Sequence, residues 1–280
     1  MREINSGAVT ETVARLCIES NIHQNEDIKA QIKAARLLET SETAAYVLDM
    51  LLENADIALN ERMPICQDTG MAVVFVEIGQ DAHISGGFIG DAINAGVREG
   101  YARGYLRKSV VSDPIERVNT NDNTPAVIHY EIVPGEQLKI TVAPKGFGSE
   151  NMSAVKMLKP SDGIDGIKRF VIETVKAAGA NPCPPVIVGI GVGGTMEKAA
   201  FLSKKALLRQ VGNRNAKPFW AGIEEELLNS INESGIGPAG LGGHTTALGV
   251  MIETYPTHIA GLPAAVNIGC HVTRHAEAIL

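Results

Sequence analysis

At 280 residues, with 45% apolar and 20% charged residues, the sequence has the length and composition of a globular protein with one large domain or two modest ones. Its net charge of −7 disfavours nucleic acid as a partner, because phosphate binding requires a basic surface. The sequence shows no signal peptide and no apolar run of about 20 residues, and four cysteines do not make a disulfide scaffold, so we expect no membrane association and a cytoplasmic protein with reduced thiols.

The first half of the chain predicts helices followed by strands, from the spacing of its apolar residues. The predicted elements are helices within residues 1–60, a turn at residues 66–70, a strand over residues 71–78, a helix over residues 91–105 and strands at residues 128–132 and 138–142. Pro134-Gly135 connects the last two strands, so we expect these strands to form a β-hairpin. A loop rich in glycine and polar residues follows at residues 144–151.

The second half alternates helical and strand-like segments. Helices are expected over residues 164–175, 197–208 and 220–231, and strands at residues 186–188, 248–252 and 264–268. No repeat or flexible linker interrupts the pattern. We therefore expect an α/β fold in which mixed sheets are flanked by helices, with a helical N-terminal segment and a single domain over residues 1–280.

Two short patterns suggest functions that the rest of the sequence does not support. Gly189, Gly191 and Gly194 match a dinucleotide-binding pattern, but no acidic residue ends a second strand about 20 residues later. These glycines fit anion-binding turns and close packing equally well. Residues 68–70 read Asp-Thr-Gly, as in aspartic proteases, whose chemistry requires two such tripeptides.

Three of the cysteines are candidate metal ligands. Cys66, Cys183 and Cys270 are widely separated, and spacing alone favours buried structural thiols. Each of them, however, lies at a predicted turn or strand end, whereas Cys17 lies on the apolar face of a helix. Three thiolates would leave one iron of a [4Fe–4S] cluster without a protein ligand and open to a substrate oxygen.

The sequence resembles the class I, iron–sulfur fumarate hydratase and L-tartrate dehydratase family over nearly its whole length. The resemblance rests on residues 64–70, 119–135, 145–158, 181–185, 235–238 and 267–270. It implies that Cys66, Cys183 and Cys270 bind a [4Fe–4S] cluster whose fourth iron meets a small dicarboxylate. Single-chain members continue into a second domain, so the resemblance implies an α subunit whose active site is completed by a β subunit, in an α2β2-type hetero-oligomer.

The resemblance also implies a substrate pocket. Its residues are Asp68 as a catalytic acid–base group that also lines the pocket, Gln67 beside it, Arg107 as a carboxylate ligand, Gly146 and Gly148 in a loop of backbone donors, and His258. His244 is a further, less specific candidate. Taken without the family, Arg107 also fits a solvated charge at a helix end, and His258 fits a surface histidine.

The substrate that the resemblance favours is fumarate or L-malate, the pair of the tricarboxylic acid cycle. Residues 122–130 are similar to fumarases, and residues 146–151 lack the cysteine that tartrate α chains carry in this loop. The alternatives are an L(+)-tartrate dehydratase α subunit and, more distantly, a non-enzymatic redox sensor that uses the cluster.

Overall fold

The computed structural model describes residues 2–280, which form two compact units. Unit 1 combines the chain up to Gln24 with Ala55–Phe147 and Arg274–Leu280, and unit 2 combines Asn25–Asn54 with Gly148–Thr273. Because each unit is assembled from separate stretches, no single cut in the sequence divides them. The assignment of residues 1–280 to one domain stays a prediction.

Helices and strands follow one another along most of the chain. In order they are β1 (Arg2–Asn5), α1 (Ser6–Ile22), α2 (Glu26–Leu38), α3 (Glu42–Glu61), β2 (Met71–Gly79), β3 (Ala82–Ser85), α4 (Ile89–Arg103), β4 (Val127–Val133), β5 (Leu138–Lys145), the single turn α5 (Phe147–Glu150), β6 (Ala154–Leu158), α6 (Gly163–Ala178), β7 (Val186–Gly193), α7 (Met196–Ala206), α8 (Pro218–Asn232), β8 (Ala247–Tyr255), β9 (Leu262–Gly269) and β10 (Ala276–Ile279). All the helices and strands predicted from periodicity are present. None of the helices in residues 2–280 is long and apolar enough to cross a lipid bilayer.

Unit 1 is built on a sheet with the strand order β10-β5-β2-β4, and α1 and α4 share its hydrophobic core. The two helices pack closely because α4 presents glycine. A Cβ at Gly96 would lie 2.6 Å from the carbonyl oxygen of Thr10, and one at Gly100 would lie 2.7 Å from that of Ala14. The apolar face predicted for α1 is fully buried, as seen at Val9, Val13, Leu16 and Cys17.

The predicted β-hairpin between β4 and β5 is wrong. β2 lies between them, parallel to β4 and antiparallel to β5. Alternating polarity identifies a strand but not its partner, and the nearly continuous apolar run of β2 takes the central position. The Pro134-Gly135 connection instead crosses the end of β2, where Asp81 N donates to Gly135 O and a Cβ at Gly79 would lie 2.5 Å from the same oxygen.

Unit 2 is built on a sheet with the strand order β6-β9-β7-β8, in which β7 is parallel to β8 and antiparallel to β9. All eight residues of β7 are buried, because helices cover both faces of the sheet. α6 and α8 pack on one face, while α2, the start of α3 and the end of α7 pack on the other. The expected α/β class, with mixed sheets flanked by helices and a helical N-terminal segment, is confirmed.

The glycines of the dinucleotide-like pattern lie mostly inside β7. A Cβ at Gly189 would overlap the carbonyl oxygen of Ser203, and one at Gly191 would overlap that of Ala199. The backbone of α7 therefore rests directly on the backbone of β7 at these two positions. This close approach explains both glycines without a bound nucleotide.

Candidate active-site residues in the two units

The turn that precedes β2 in unit 1 presents Cys66, Gln67 and Asp68. Asp68 N donates to Cys66 Sγ at 3.4 Å, and the Cys66 thiol lies 3.5 Å from Gln67 Oε1. Cys66 and Asp68 are half-buried, and Gln67 is exposed. The turn therefore holds the thiol in a defined position that remains reachable from solvent.

The carboxylate of Asp68 is oriented by backbone donors. Its Oδ1 accepts from Gly70 N at 3.0 Å, and its Oδ2 accepts from Phe147 N at 2.9 Å. A Cβ at Gly146 would lie 3.2 Å from Oδ2, so the glycine loop stands directly against this carboxylate. Arg274, which is 4% exposed, donates from Nη2 to the carbonyl oxygen of Asp68 at 2.8 Å.

Two buried side chains that the sequence reasoning missed support the same turn. The hydroxyl of Tyr101 lies 2.9 Å from the carbonyl oxygens of both Thr69 and Gly70, and burial raises the pKa of Tyr101, so it remains a donor. Asn123 donates from Nδ2 to Gly70 O at 3.2 Å and accepts from Ser109 N at 2.7 Å. Tyr101 reads in the sequence as an ordinary helix core residue, and the only signal for Asn123 is its place in a family motif.

Arg107 lies beside this turn in unit 1. Its backbone N donates to Thr69 Oγ1 at 2.9 Å, and Thr69 Oγ1 donates to Arg107 O at 3.2 Å. The Arg107 side chain is exposed. The structure thus brings the predicted carboxylate ligand next to the Cys66–Asp68 turn with its guanidinium available to an anion.

In unit 2, Cys183 and Cys270 lie at the same end of two neighbouring strands of the sheet. Cys183 precedes β7, Cys270 follows the antiparallel strand β9, and Ile187 pairs with Gly269. The two loops touch, because His271 N and Nδ1 lie 3.4 Å and 2.9 Å from Cys183 O. Cys183 is exposed and Cys270 is half-buried.

The loop that carries Cys183 is held in an unusual backbone conformation. Cys183 has a φ of 54°, in the left-handed region that costs a residue with a side chain about 1–2 kcal/mol. Ala239 N donates to Pro184 O at 2.8 Å, which ties the glycine-rich loop after α8 to this segment. A Cβ at Gly148 would lie 3.6 Å from Asn181 O, so Gly148 is also adjacent to the Cys183 loop.

The two candidate histidines of unit 2 lie at opposite ends of the strands. His244 precedes β8, whose first residue pairs with the first residue of β7, so His244 lies at the end of the strands that carries Cys183 and Cys270. His258 lies between β8 and β9 at the other end of these strands, about 25 Å away along the strand direction. The structure therefore does not bring His258 together with these two cysteines, and its role as a substrate ligand stays a prediction.

His244 is anchored through its backbone. His244 N and Thr245 N donate to Glu39 Oε2 at 2.8 Å and 3.3 Å, and Thr40 N and Ser41 N donate to Glu39 Oε1. Burial would raise the pKa of Glu39, but the four backbone donors outweigh burial and lower it. The charged form of Glu39 therefore fixes the loop that carries His244.

The thiols fit an iron–sulfur cluster by their chemistry. None of the four cysteines forms a disulfide, and burial raises the pKa of Cys17 to about 12, which leaves Cys66, Cys183 and Cys270 as accessible donors. In the part of the chain from Arg2 onwards, no three Cys, His, Asp or Glu side chains are grouped to hold a single metal ion. A four-iron cluster has a different requirement, because each thiolate binds its own iron.

These features describe an α/β protein of the fumarate hydratase family. A family model for fumarate hydratase (Fumerase) matches residues 10–279, and the chain belongs to this family of hydro-lyases. The predicted resemblance is confirmed.

Named relatives are similar over most of their length. The chain is 43% identical over 274 residues to a putative L(+)-tartrate dehydratase subunit alpha of Methanocaldococcus jannaschii, and the match covers 96% of each chain. It is 33% identical over 270 residues to the L(+)-tartrate dehydratase subunit alpha of Escherichia coli UTI89, covering 95% of this chain and 88% of the relative. The corresponding protein of E. coli K12 is 32% identical over 276 residues, with 97% and 90% covered.

Proposed function

We propose that the chain is the cluster-binding α subunit of a cytoplasmic hydro-lyase that interconverts fumarate and L-malate together with a β subunit. The observation that carries the proposal is the division of the cysteines: three accessible thiols lie in structured turns, and the fourth is buried, in a chain that belongs to this family. The names of the relatives as α subunits support a partner β subunit. We expect an α2β2-type assembly.

The cofactor in this proposal is a [4Fe–4S] cluster. Cys66, Cys183 and Cys270 are its three ligands, and Cys17 is not one. When bound, such a cluster supplies a Lewis acid through the iron that lacks a protein ligand.

The chain's own residues bind and orient the dicarboxylate. The exposed guanidinium of Arg107 pairs with one carboxylate in a bidentate manner. The amide of Gln67 and the backbone of the loop at Gly146 and Gly148 provide neutral hydrogen-bond groups around it. Glycine at 146 keeps space beside Asp68 Oδ2 that a side chain would fill.

Proton transfer in this chain is assigned to Asp68. Hydration of fumarate adds a proton to one carbon and hydroxide to its neighbour, and dehydration reverses both steps. Each oxygen of Asp68 accepts one backbone N–H, which leaves further lone pairs for a proton. The second acid–base group is expected on the β subunit.

L(+)-tartrate is the second candidate substrate, and the names of the relatives favour it. Tartrate differs from malate by one hydroxyl, so a few polar contacts decide between them. The sequence of the loop at residues 146–151 and of residues 122–130 supports fumarate and L-malate.

The reconstituted αβ pair with its cluster should be assayed on L-malate, fumarate and L-tartrate side by side. A kcat/KM at least ~10-fold higher for L-malate than for L-tartrate supports the fumarate hydratase assignment, since this ratio corresponds to about 1.4 kcal/mol of discrimination. The reverse ratio assigns the protein to tartrate. Failure of the cluster-loaded pair to turn over any of the three overturns the hydro-lyase proposal.

A further inference from the structure

Residues 150–153, which follow the glycine loop, lie against the end of β9 without belonging to a strand. The ladder between β6 and β9 begins at Ala154, which pairs with Val266, so the segment before Ala154 lies outside the ladder. A side chain continues the connection, because Ser153 Oγ accepts from Ile268 N at 3.1 Å. The position of the glycine loop against β9 therefore depends on side-chain contacts.

Glu150, at the end of α5, provides the charged part of this connection. Asn267 Nδ2 donates to Glu150 Oε2 at 2.9 Å and to Ser153 Oγ at 3.2 Å. Lys204 Nζ of α7 lies 2.7 Å and 2.8 Å from the two oxygens of Glu150. The side chains of Glu150 and Lys204 are 28% and 20% exposed, so solvent screens this pair less than it screens a surface ion pair. Glu150 thus joins the loop to both α7 and β9.

The buried amide of Asn267 is oriented by this carboxylate. Asn267 is 5% exposed, and its amide nitrogen donates to Glu150 and Ser153. Its Oδ1 is buried and accepts no hydrogen bond within residues 2–280. The reversed amide would set Oδ1 against the carboxylate of Glu150. The contact with Glu150 therefore determines how Asn267 is turned, even though its own oxygen stays without a donor.

These contacts place Gly148 at the end of the strands that carries two of the candidate cluster ligands. Gly148 is two residues before Glu150, and a Cβ at Gly148 would lie 3.6 Å from a carbonyl oxygen of the Cys183 loop. Asn267 of β9 is three residues before Cys270. The glycine loop is therefore attached to the strand that leads into Cys270 and lies beside the loop that carries Cys183.

We propose that Glu150 is a positioning residue, which holds the backbone of the glycine loop at Gly148 in its substrate-binding geometry through Asn267 and Lys204. The inference rests on the proposed function, since it takes the glycine loop as part of the substrate site. The single turn of α5 has four residues, too few to be stable by itself, so its geometry depends on this attachment. A loop fixed before the substrate arrives loses less entropy on binding, and a released loop binds more weakly.

The link between Glu150 and Asn267 is tested by exchanging the two groups. Asn267→Asp sets two carboxylates against each other and should release the loop, whereas adding Glu150→Gln again places one amide against one carboxylate. Hydrogen–deuterium exchange of residues 148–153 in the full-length chain should be faster in Asn267→Asp and return to the wild-type rate in the double variant. Glu226→Gln, which removes an ion pair with Lys168 between α8 and α6, is the matched control and should leave this exchange unchanged.

Substrate binding is measured on the cluster-loaded αβ pair with the substrate that it turns over fastest. Asn267→Asp should raise KM about 10-fold, with a smaller change in kcat and an unchanged cluster content, and adding Glu150→Gln should lower KM again. Glu226→Gln should keep the wild-type KM. If Asn267→Asp does not fold, Glu150→Gln alone takes its place and should also raise KM, since it removes the charge that Lys204 and Asn267 share.

Four results would each overturn the proposal. They are unchanged exchange of residues 148–153 on release of the link, no recovery in the double variant, loss of the cluster in Asn267→Asp, and an equal rise in KM with Glu226→Gln. If the αβ pair turns over none of its candidate substrates, the proposed function fails, while the exchange measurement still decides whether Glu150 holds the loop.

Discussion

At the scale of single residues, the four cysteines are separated by what surrounds each sulfur. Cys17 packs against α4, where a Cβ at Gly100 would lie 2.8 Å from the Cys17 Cβ, and it has no access to solvent. Cys66, Cys183 and Cys270 lie in turns or at strand ends and reach solvent to different degrees. Since the thiolate is the metal ligand, burial disqualifies Cys17 and leaves the other three.

Substitution of the cysteines should divide them in the same way. Cys66→Ser, Cys183→Ser or Cys270→Ser should each lower the iron and sulfide content of the reconstituted chain by more than half, because each removes one of three ligands. Cys17→Ser should keep the cluster and lose some stability, since it places a hydroxyl in an apolar site. Iron analysis and visible absorption measure the first effect, and a cluster retained in all three ligand variants would contradict the assignment.

Asp68 allows a second test at this scale. Asp68→Asn should lower kcat of the cluster-loaded αβ pair ~10²–10⁴-fold, the usual contribution of a general acid–base group. Cluster content should be unchanged, because the substitution leaves all three thiols in place. A variant with wild-type kcat would remove Asp68 from proton transfer, whereas loss of the cluster would indicate a structural role.

At the scale of secondary-structure elements, the contact between α7 and β7 depends on glycines in β7, which have no side chain to separate the two backbones. Gly191→Ala would set a methyl group against Ala199 O and should reduce the free energy of unfolding by about 1–3 kcal/mol. Gly222→Ala in α8 is the matched control, because no atom lies within 4 Å of its Cβ position. It should be neutral or slightly stabilising, and urea denaturation of both variants compares them.

The loop between α2 and α3 is a second element with a testable role. Glu39 has a lowered pKa in the folded chain, so its stabilising contribution is present above the ordinary pKa of 4.5 and is lost as the pH falls through the lowered value. Glu39→Gln should therefore melt at a lower temperature than wild type at neutral pH, and the difference should shrink on acidification below pH 4.5. Glu42→Gln, an exposed carboxylate in the next helix, serves as control. A constant difference across this pH range would contradict the role of charge.

The positions of the helices and strands could be predicted from the sequence, but the pairing of the strands could not. Periodicity located the helices and strands, because burial of one face imposes a repeat on the residues. It could not choose the partner of β4, since β2 enters between two segments that are adjacent in the sequence. The roles of Tyr101 and Asn123 could not be predicted either, because only folding brings their side chains to the backbone carbonyl groups of residues 69 and 70.

At the scale of the whole molecule, the three candidate thiols could be identified from the sequence, but their positions in the sheets could not. The antiparallel pairing of β7 and β9 brings Cys183 and Cys270 to the same end of the strands in unit 2. The parallel pairing of β7 and β8 places His244 at that end as well. Both placements follow from the order and direction of the strands, which depend on residues far apart in the sequence. The same topology places His258 at the opposite end of the strands, and a short motif in the sequence does not reveal this separation.

Turnover by this protein is expected to depend on a β subunit, whereas cluster uptake is not. Within residues 2–280, the groups that we assign to substrate are Gln67, Asp68, Arg107 and the glycine loop, which together provide one guanidinium for a substrate with two carboxylates. We therefore expect a partner to contribute a second cationic group and a second acid–base group. The isolated chain should therefore take up iron and sulfide yet show no measurable dehydration of L-malate, and addition of the β subunit should restore turnover without changing the cluster content. Iron analysis and a malate assay on the same samples separate the two steps, because robust turnover by the isolated chain would place the whole active site on this chain and refute the division of labour.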